Sequence, residues 1–253
     1  MATETIAIAT HKGGTGKTVT AMALGAGLAR AGKRTLLIDL DPQGHCSLGL
    51  GIEIPDGQPT LREFFGEPPA LLTRIIRPTR VQGLDIAPSN IRLARIAQSL
   101  YMRPKREDLL KRGLKLIQDQ YEFIVIDCPP TLGVLTEAGI AAADLVIVPC
   151  QMEARAADGL VDLLEVVSVI KGDGFSNWRI LLTKFDKRKS TTNQAVLNAL
   201  GEWQTRILKS TIPQSEPLNQ AQIDRSDIFS FDSKSSGAIA YEALTQEILT
   251  DGR

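Results

Sequence analysis

The sequence predicts an α/β fold in which a doubly wound, mostly parallel sheet of about seven strands is flanked by helices. Short β-branched apolar runs alternate along the chain with longer segments of helical period. Several runs, among them "TLLIDL", "FIVID" and "LVIVP", are apolar throughout, which is typical of strands buried on both faces of a sheet. Strands that alternate with helices at this spacing indicate right-handed crossovers and a parallel sheet.

The predicted elements follow one another as the fold class requires. The strands are Thr5–Thr10, Arg34–Leu40, Leu84–Ala87, Phe123–Cys128, Leu145–Cys150, Trp178–Phe185 and Ile207–Ile212. The helices are Lys17–Ala31, Asn90–Leu100, Pro104–Gln120, Leu132–Ala142, Ala157–Lys171, Thr191–Gln204 and Ser236–Leu249. Gly51–Thr60 is predicted to be a turn-rich surface excursion, and Asp224–Gly237 to be the most mobile loop. Because we find no linker and no internal repeat, we expect a single domain over residues 1–253.

Composition narrows the classes of function. Lys and Arg together number 29, as do Asp and Glu, so the formal net charge is zero. This balance argues against a protein that coats nucleic acid through bulk charge. The three cysteines are far apart and show no metal-ligand or disulfide spacing. No apolar run reaches the ~18 residues that span a bilayer, so we expect a soluble, cytoplasmic protein without membrane association.

The stretch "THKGGTGKTVT", at Thr10–Thr20, connects the first predicted strand to the first helix. Its glycines allow successive backbone N–H groups to converge, and the following helix adds its positive dipole end. Lys17 is predicted to contact the β- and γ-phosphates of a nucleotide, and the Thr18 hydroxyl to bind Mg²⁺. The predicted cofactor-binding residues of the loop are Gly13, Gly14, Thr15, Gly16, Lys17, Thr18 and Val19.

The left half of this loop departs from the general pattern G-x-x-x-x-G-K-[ST]. With Gly16 as the second glycine, the first would be residue 11, which is His11. A second lysine, Lys12, follows it. The pattern alone does not say what this second lysine does.

Aspartates at the ends of predicted strands complete a metal site. Asp127 ends "FIVID" and is the candidate to hold Mg²⁺ through a water. In "LLIDLDPQG", Asp39 and Asp41 are two residues apart, so on an extended strand they would share one face. We assign Asp39 to the metal shell and Asp41 to the orientation of the attacking water, with the alternative that one of them only caps the next turn.

The motifs "KGGTGKT", "LLIDLDPQG" and "FIVIDCPP", in this order, resemble those of the ParA/Soj family of deviant Walker-box ATPases, part of the wider MinD/ParA class. The resemblance implies a P-loop NTPase fold, ATP and Mg²⁺ as cofactors, and weak ATP hydrolysis. It implies that Lys12 is the signature lysine, which reaches across a homodimer to the partner's nucleotide. Such a cation would neutralise charge that develops during phosphoryl transfer. The predicted catalytic residues are therefore Lys12, Lys17 and Asp41.

Further expectations rest on the same resemblance. Pro129-Pro130 would form a switch that senses the γ-phosphate, and the Ile212-Pro213 region would lie near the adenine, with Pro213 packed on the base. We also place Thr20 beside the α-phosphate. ATP-bound dimers of the family bind nucleoid DNA nonspecifically, and a ParB-like or other adaptor protein stimulates hydrolysis.

The DNA-binding expectation meets a departure from the family. Relatives commonly carry arginines after the Ile-Pro pair, whereas this chain reads Gln214-Ser215-Glu216-Pro217-Leu218. We predict instead that the basic loop "TKFDKRKS" contacts DNA phosphates, with steep salt dependence. A solvated basic loop is the alternative. The DNA-binding candidates are Lys184, Lys187, Arg188 and Lys189.

Three functions are compatible with these motifs. The first is a ParA-type switch that positions a plasmid, a chromosome or a protein assembly such as a carboxysome. The second is a MinD-like membrane-cycling regulator, which needs a basic amphipathic C-terminal helix. The segment "AYEALTQEILTDGR" is acidic instead. The third is a metabolic enzyme that shares the loop, such as a synthetase or an electron-transfer reductase.

Overall fold

An eight-stranded sheet forms the centre of the molecule in the computed structural model, which describes residues 3–153 and 157–251. Its strands are β1 Glu4–Ile8, β2 Thr35–Asp39, β3 Arg77–Pro78, β4 Leu84–Ala87, β5 Phe123–Asp127, β6 Leu145–Gln151, β7 Trp178–Phe185 and β8 Ile207–Pro213. Across the sheet their order is β3-β4-β2-β5-β1-β6-β7-β8. The β3–β4 pair is antiparallel and the other pairs are parallel.

The helices of the described residues cover both faces of the sheet. They are α1 Lys17–Arg30, α2 His45–Gly49, α3 Leu61–Phe65, α4 Leu93–Leu100, α5 Asp108–Lys115, α6 Val134–Ala142, α7 Asp158–Lys171, α8 Ser190–Ala199, α9 Glu216–Ile223, α10 Ile228–Asp232 and α11 Ser236–Asp251. Side chains alternate along each strand, so Leu36 and Ile38 belong to one core while Leu37 belongs to the other. No helix in the part of the chain that is described is long and apolar enough to cross a membrane.

The register of the central strands brings three chain segments to one edge of the sheet. Asp127 of β5 is paired with Ile8 of β1 on one side and with Asp39 of β2 on the other. The glycine-rich loop follows β1 directly. Because ligands of open α/β sheets bind at the carboxyl ends of the strands, this edge is where a site is expected.

All seven predicted strands are present, with ends within two residues of the prediction. The eighth, β3, was not predicted because it has two residues, one of them a proline. The prediction of a mobile loop at Asp224–Gly237 is wrong. That segment contains α10, whose first backbone N–H groups donate to the Asp227 carboxylate at 3.0 and 3.1 Å, and whose Ile228 and Phe229 are buried.

Close packing of α1 against α11 generates the first testable prediction. A Cβ atom at Gly27 would lie 2.2 Å from the Thr245 Oγ1 atom, which is buried. Gly27→Ala should therefore lower the melting temperature, although alanine gains up to about 1 kcal/mol of helix propensity, because overpacking costs about 1–3 kcal/mol. Adding Thr245→Ala should restore part of the loss.

Gly25→Ala on the same helix is the matched control in thermal unfolding. Its new Cβ would meet Leu84 Cδ1 at 3.4 Å, an ordinary contact. An equal loss of stability in the two variants would contradict the packing argument.

Candidate nucleotide-binding site

The glycine-rich loop has the backbone geometry that its sequence predicts. Gly14 and Gly16 have φ angles of +73° and +93°, in the left-handed region that glycine adopts without strain. Gly16 is the N-cap of α1, which begins at Lys17. The positive end of the α1 dipole therefore lies at the loop, where phosphate oxygens would be stabilised.

Lys17 is held inside the loop. Only 6% of the residue is exposed, and its Nζ donates to the backbone carbonyl of Lys12 at 2.9 Å. Burial lowers the pKa of the Lys17 ammonium, while nearby Asp127, Cys128 and Asp41 oppose this effect. The Lys17 ammonium donates to a neutral carbonyl, so a nearby anion would stabilise its buried charge strongly. Phosphate oxygens would supply that negative charge.

Asp127 and Thr18 are brought together. The Thr18 hydroxyl donates to Asp127 Oδ2 at 2.8 Å, and the Cys46 thiol donates to the same oxygen at 3.3 Å. The neighbouring Asp39 carboxylate accepts from the Ser47 backbone N–H at 2.9 Å and from its hydroxyl at 2.7 Å. Within the described residues, Oδ1 of both aspartates is buried without a hydrogen-bond partner.

These orphaned oxygens fit a divalent cation. Asp39, Cys46 and Asp127 offer ligand atoms that all lie within 4.8 Å of one another. Mg²⁺ prefers oxygen ligands, so Thr18, Asp39 and Asp127 are the residues that would hold it, directly or through water. Burial raises the pKa of the Cys46 thiol, so this side chain acts as a donor to Asp127. Cys46 and Ser47 were not identified from the sequence, because no spacing rule links them to the aspartates.

Burial is the largest influence on the pKa of both carboxylates. Burial, followed by the Asp127 charge, raises the pKa of Asp39 to about 8. Burial raises the pKa of Asp127 to about 7, although the Thr18 and Cys46 hydrogen bonds act in the opposite direction. Two negative charges in this dry environment are costly without a cation, which agrees with the metal assignment.

Asp41 does not share a strand face with Asp39, contrary to the expectation. Because β2 ends at Asp39, the alternation of a strand does not extend to Asp41. Asp41 lies in a turn, where its Oδ1 accepts from the Gln43 backbone N–H at 2.9 Å and its carbonyl accepts from Gly44 at 2.9 Å. Asp41 therefore caps this turn, and its role in orienting the attacking water stays a prediction. Its charge nevertheless acts on Asp39 and Asp127, whose pKa values it raises.

Lys12 is on the outer side of the loop. Its ammonium forms an ion pair with Glu153, and Gln151 Nε2 donates to the other Glu153 oxygen at 2.8 Å. About 39% of the Lys12 side chain is exposed, in contrast to buried Lys17. Glu153 was missed in the sequence, although it lies two residues beyond the end of β6 at the same edge of the sheet.

A cavity of about 200 Å³ adjoins the loop and is lined in part by Thr15, Gly16, Val19 and Pro213. The structure thus places the predicted base-packing residue Pro213 beside the loop. The expectation for Thr20 is wrong. Thr20 is fully buried and its Oγ1 lies 3.0 Å from the Tyr241 hydroxyl, so it packs against α11 and does not face a phosphate.

The predicted DNA-binding segment starts in the last residues of β7, where Lys184 lies, and continues through the connection to α8 with Lys187, Arg188 and Lys189. All four cations are exposed. One of them is already engaged: Arg188 Nε and Nη2 donate to the two Asp186 oxygens at 3.0 and 2.9 Å. Lys184, Lys187 and Lys189 form no ion pair within the described residues.

A glycine-rich loop between a strand and a helix, with a buried lysine, a hydroxyl and a strand-end aspartate, defines a P-loop nucleotide-binding protein. Residues 3–180 match the AAA_31 family model, an AAA domain. The chain is 37% identical over 250 residues to the sporulation initiation inhibitor protein Soj of Bacillus subtilis, covering 98% of each chain. It is 35% identical over 254 residues to the chromosome partitioning protein ParA of Caulobacter vibrioides, covering 98% of this chain and 94% of that one. The chain belongs to the ParA/Soj family of ATPases, which confirms the resemblance.

A solved structure agrees with this fold. A cobyrinic acid a,c-diamide synthase from Mycobacterium smegmatis, with a bound ATP analogue and magnesium, is 33% identical and has a TM-score of 0.83. It covers 99% of this chain and 97% of its own.

The pKa values of the buried pair predict how stability depends on pH. An ordinary Asp has a pKa of 3.8, so the folded protein retains protons that the unfolded chain has released. The stability that these groups contribute is full below about pH 4 and is lost as pH rises through 7 to 8. Asp39→Asn should therefore raise the melting temperature of the metal-free protein by several degrees at pH 8, and this gain should vanish near pH 4.

Thermal unfolding in EDTA across this pH range measures the effect, with Asp56→Asn, a fully exposed carboxylate, as the control. If Asp39→Asn raised the melting temperature equally near pH 4 and at pH 8, this would contradict the raised pKa of Asp39.

Proposed function

We propose that this chain is a single-domain ParA-type ATPase that forms an ATP-sandwich homodimer, holds nonspecific DNA and positions a cargo, with hydrolysis stimulated by an adaptor protein. The observation that carries the proposal is that two lysines of one loop differ in burial. Lys17 is buried where its own nucleotide would bind, whereas Lys12 is half-exposed at the edge. A lysine on the outside of the loop is suited to contact a nucleotide held by a second protomer.

Each residue of the site would have its own role in ATP binding and hydrolysis. Lys17 and the loop N–H groups bind the ATP phosphates, and Thr18, Asp39 and Asp127 hold Mg²⁺, which neutralises phosphate charge when bound. Asp41 orients the attacking water, and Lys12 of the partner protomer stabilises the developing charge. Pro129-Pro130, which begins two residues after Asp127, acts as the switch.

The cargo would be a plasmid, a chromosome or a protein assembly such as a carboxysome, and the protein would be cytoplasmic and nucleoid-associated. Two relatives, a chromosome partitioning protein and a sporulation initiation inhibitor, support this class. A MinD-like role fits the helix α11 poorly. Its Tyr241, Leu244 and Ile248 are buried in the core, so these apolar side chains stabilise the fold.

The similarity to the cobyrinic acid a,c-diamide synthase favours a second candidate, an ATP-dependent amide synthase. Such an enzyme needs room for a large acid substrate, and typical ligand pockets measure about 300–1,000 Å³. The cavity beside the loop measures about 200 Å³. Formation of an amide from cobyrinic acid, ATP and glutamine or ammonia would favour this candidate over the first.

Hydrolysis and dimerisation together test the main proposal. Asp41→Asn removes the charge but keeps an oxygen that accepts the Gln43 N–H, so the turn should survive. We expect ATP binding and dimerisation to persist while the ATPase rate falls at least about 100-fold, the scale of general acid–base contributions. Sedimentation with ATP and a phosphate-release assay measure both effects, and Lys17→Ala, which should not bind ATP, is the control. Normal hydrolysis by Asp41→Asn would exclude this role for Asp41.

The ion pair between Lys12 and Glu153 predicts an effect on assembly. If Lys12 must leave Glu153 to reach a partner's nucleotide, Glu153→Gln should promote dimerisation. An exposed ion pair contributes about 0–1 kcal/mol, so the ATP concentration for half-maximal dimerisation should fall up to about fivefold. Asp162→Asn is the matched control, because Asp162 pairs with His11 at 2.8 Å and not with Lys12. Weaker dimerisation of Glu153→Gln would contradict the prediction.

The basic loop predicts the salt dependence of DNA retention. The affinity for DNA falls as salt rises, and each phosphate contact contributes about 0.9 to the steepness of log K against log salt concentration. Replacing Lys187 and Lys189 by glutamine should therefore make this slope shallower by about 2. The control with the same charge change is Lys111→Gln with Lys115→Gln on α5. Filter binding in the presence of ATP measures both slopes, and equal changes would show that the loop has no specific role.

A further inference from the structure

A second surface feature lies apart from the nucleotide site. An apolar groove of about 410 Å³ runs between α5 and the segment 69–73. Buried Leu72 and Ile117 form its floor, and Leu71 and Leu116 form part of its walls. It shares no lining residue with the cavity beside the glycine-rich loop.

The sequence of α5 explains how this groove forms. Leu110 and Leu114 point into the core, whereas Leu109, Arg112 and Leu116 line the groove at the spacing of a second helical stripe. Gly113 between the stripes allows close approach, because a Cβ there would lie 2.6 Å from the Phe64 ring. The helix thus packs on the core through Leu110 and Leu114, while half-buried Leu109, exposed Arg112 and exposed Leu116 line the groove.

Large apolar side chains on both walls of the groove lie in water. Leu71 is 56% exposed and Leu116 is 74% exposed. Exposed apolar area costs about 25 cal/mol per Å² relative to burial, and contiguous apolar patches commonly mark interaction sites. The groove would therefore gain stability from an apolar occupant.

The charge of the groove identifies the chemistry of that occupant. Two arginines and no acidic residue line it. The guanidinium of Arg103 is engaged, with Nε 3.1 Å from a Glu67 oxygen and Nη1 donating to the Phe65 carbonyl at 2.8 Å. Arg112 and neighbouring Lys115 are exposed and form no ion pair with the described residues. These cations are available to carboxylates of a partner.

We propose that this groove binds an acidic amphipathic helix of a partner protein. Apolar side chains one turn apart on that helix enter the groove between Leu71 and Leu116, and carboxylates beside them pair with Arg112 and Lys115. The site is separate from the nucleotide cavity, and the proposal does not depend on the proposed function.

Peptide selection tests the proposal. A displayed library of random peptides about 16 residues long is selected on the full chain. We expect enriched peptides to be acidic, with apolar residues spaced three and four apart. Synthetic copies should bind Leu116→Glu and Arg112→Glu at least about tenfold more weakly in fluorescence anisotropy, the scale of an interface hot spot.

Val169→Glu is the matched control, since Val169 on α7 is 83% exposed and does not line the groove. Exposed positions are chosen so that the variants fold, which thermal unfolding checks. Absence of enrichment, enrichment of basic or neutral peptides, or equal binding to Leu116→Glu would overturn the proposal. So would a nucleotide-free dimer of the wild type that Leu116→Glu dissociates, because the occupant would then be a second copy of this chain.

Discussion

The burial of two carboxylates side by side is the constraint on which the site depends. Asp39 and Asp127 are paired in register at the ends of adjacent parallel strands, and both are fully buried. Each retains an oxygen without a partner, and their pKa values rise to about 8 and 7. Neither Thr18 nor Ser47 brings a positive charge, so their hydrogen bonds only partly offset the cost of burying the two charges. A divalent cation would satisfy both oxygens at once.

The two lysines of the loop differ in what they face, and of the two Lys17 is the one whose charge acts on Asp127. Lys17 donates inwards to the carbonyl of Lys12, while the Lys12 side chain turns outwards to Glu153. One residue, Lys12, therefore contacts Lys17 through its backbone and Glu153 through its side chain.

Periodicity predicted most of the fold because each central strand is buried on both faces. Continuous apolar runs such as β2 and β5 are a strong signal, and their ends were predicted within one residue. Short helices such as α10 carry little periodic signal. Helix α10 depends on the Asp227 cap and on burial of Phe229 by distant residues. The sequence prediction therefore treated this segment as a loop.

The sequence by itself determined the nucleotide-binding chemistry, because a glycine-rich loop, a lysine and a hydroxyl are contiguous and their roles follow from local backbone geometry. It also determined which aspartates end the strands. Only the tertiary structure decided how these groups interact: that Asp39 is held by Ser47, that Asp41 caps a turn, that Thr20 faces α11, and that Glu153 engages Lys12. The Thr20 and Glu153 contacts join residues distant in sequence that the tertiary fold brings together, whereas the Asp39 and Asp41 contacts depend on how the chain turns after β2.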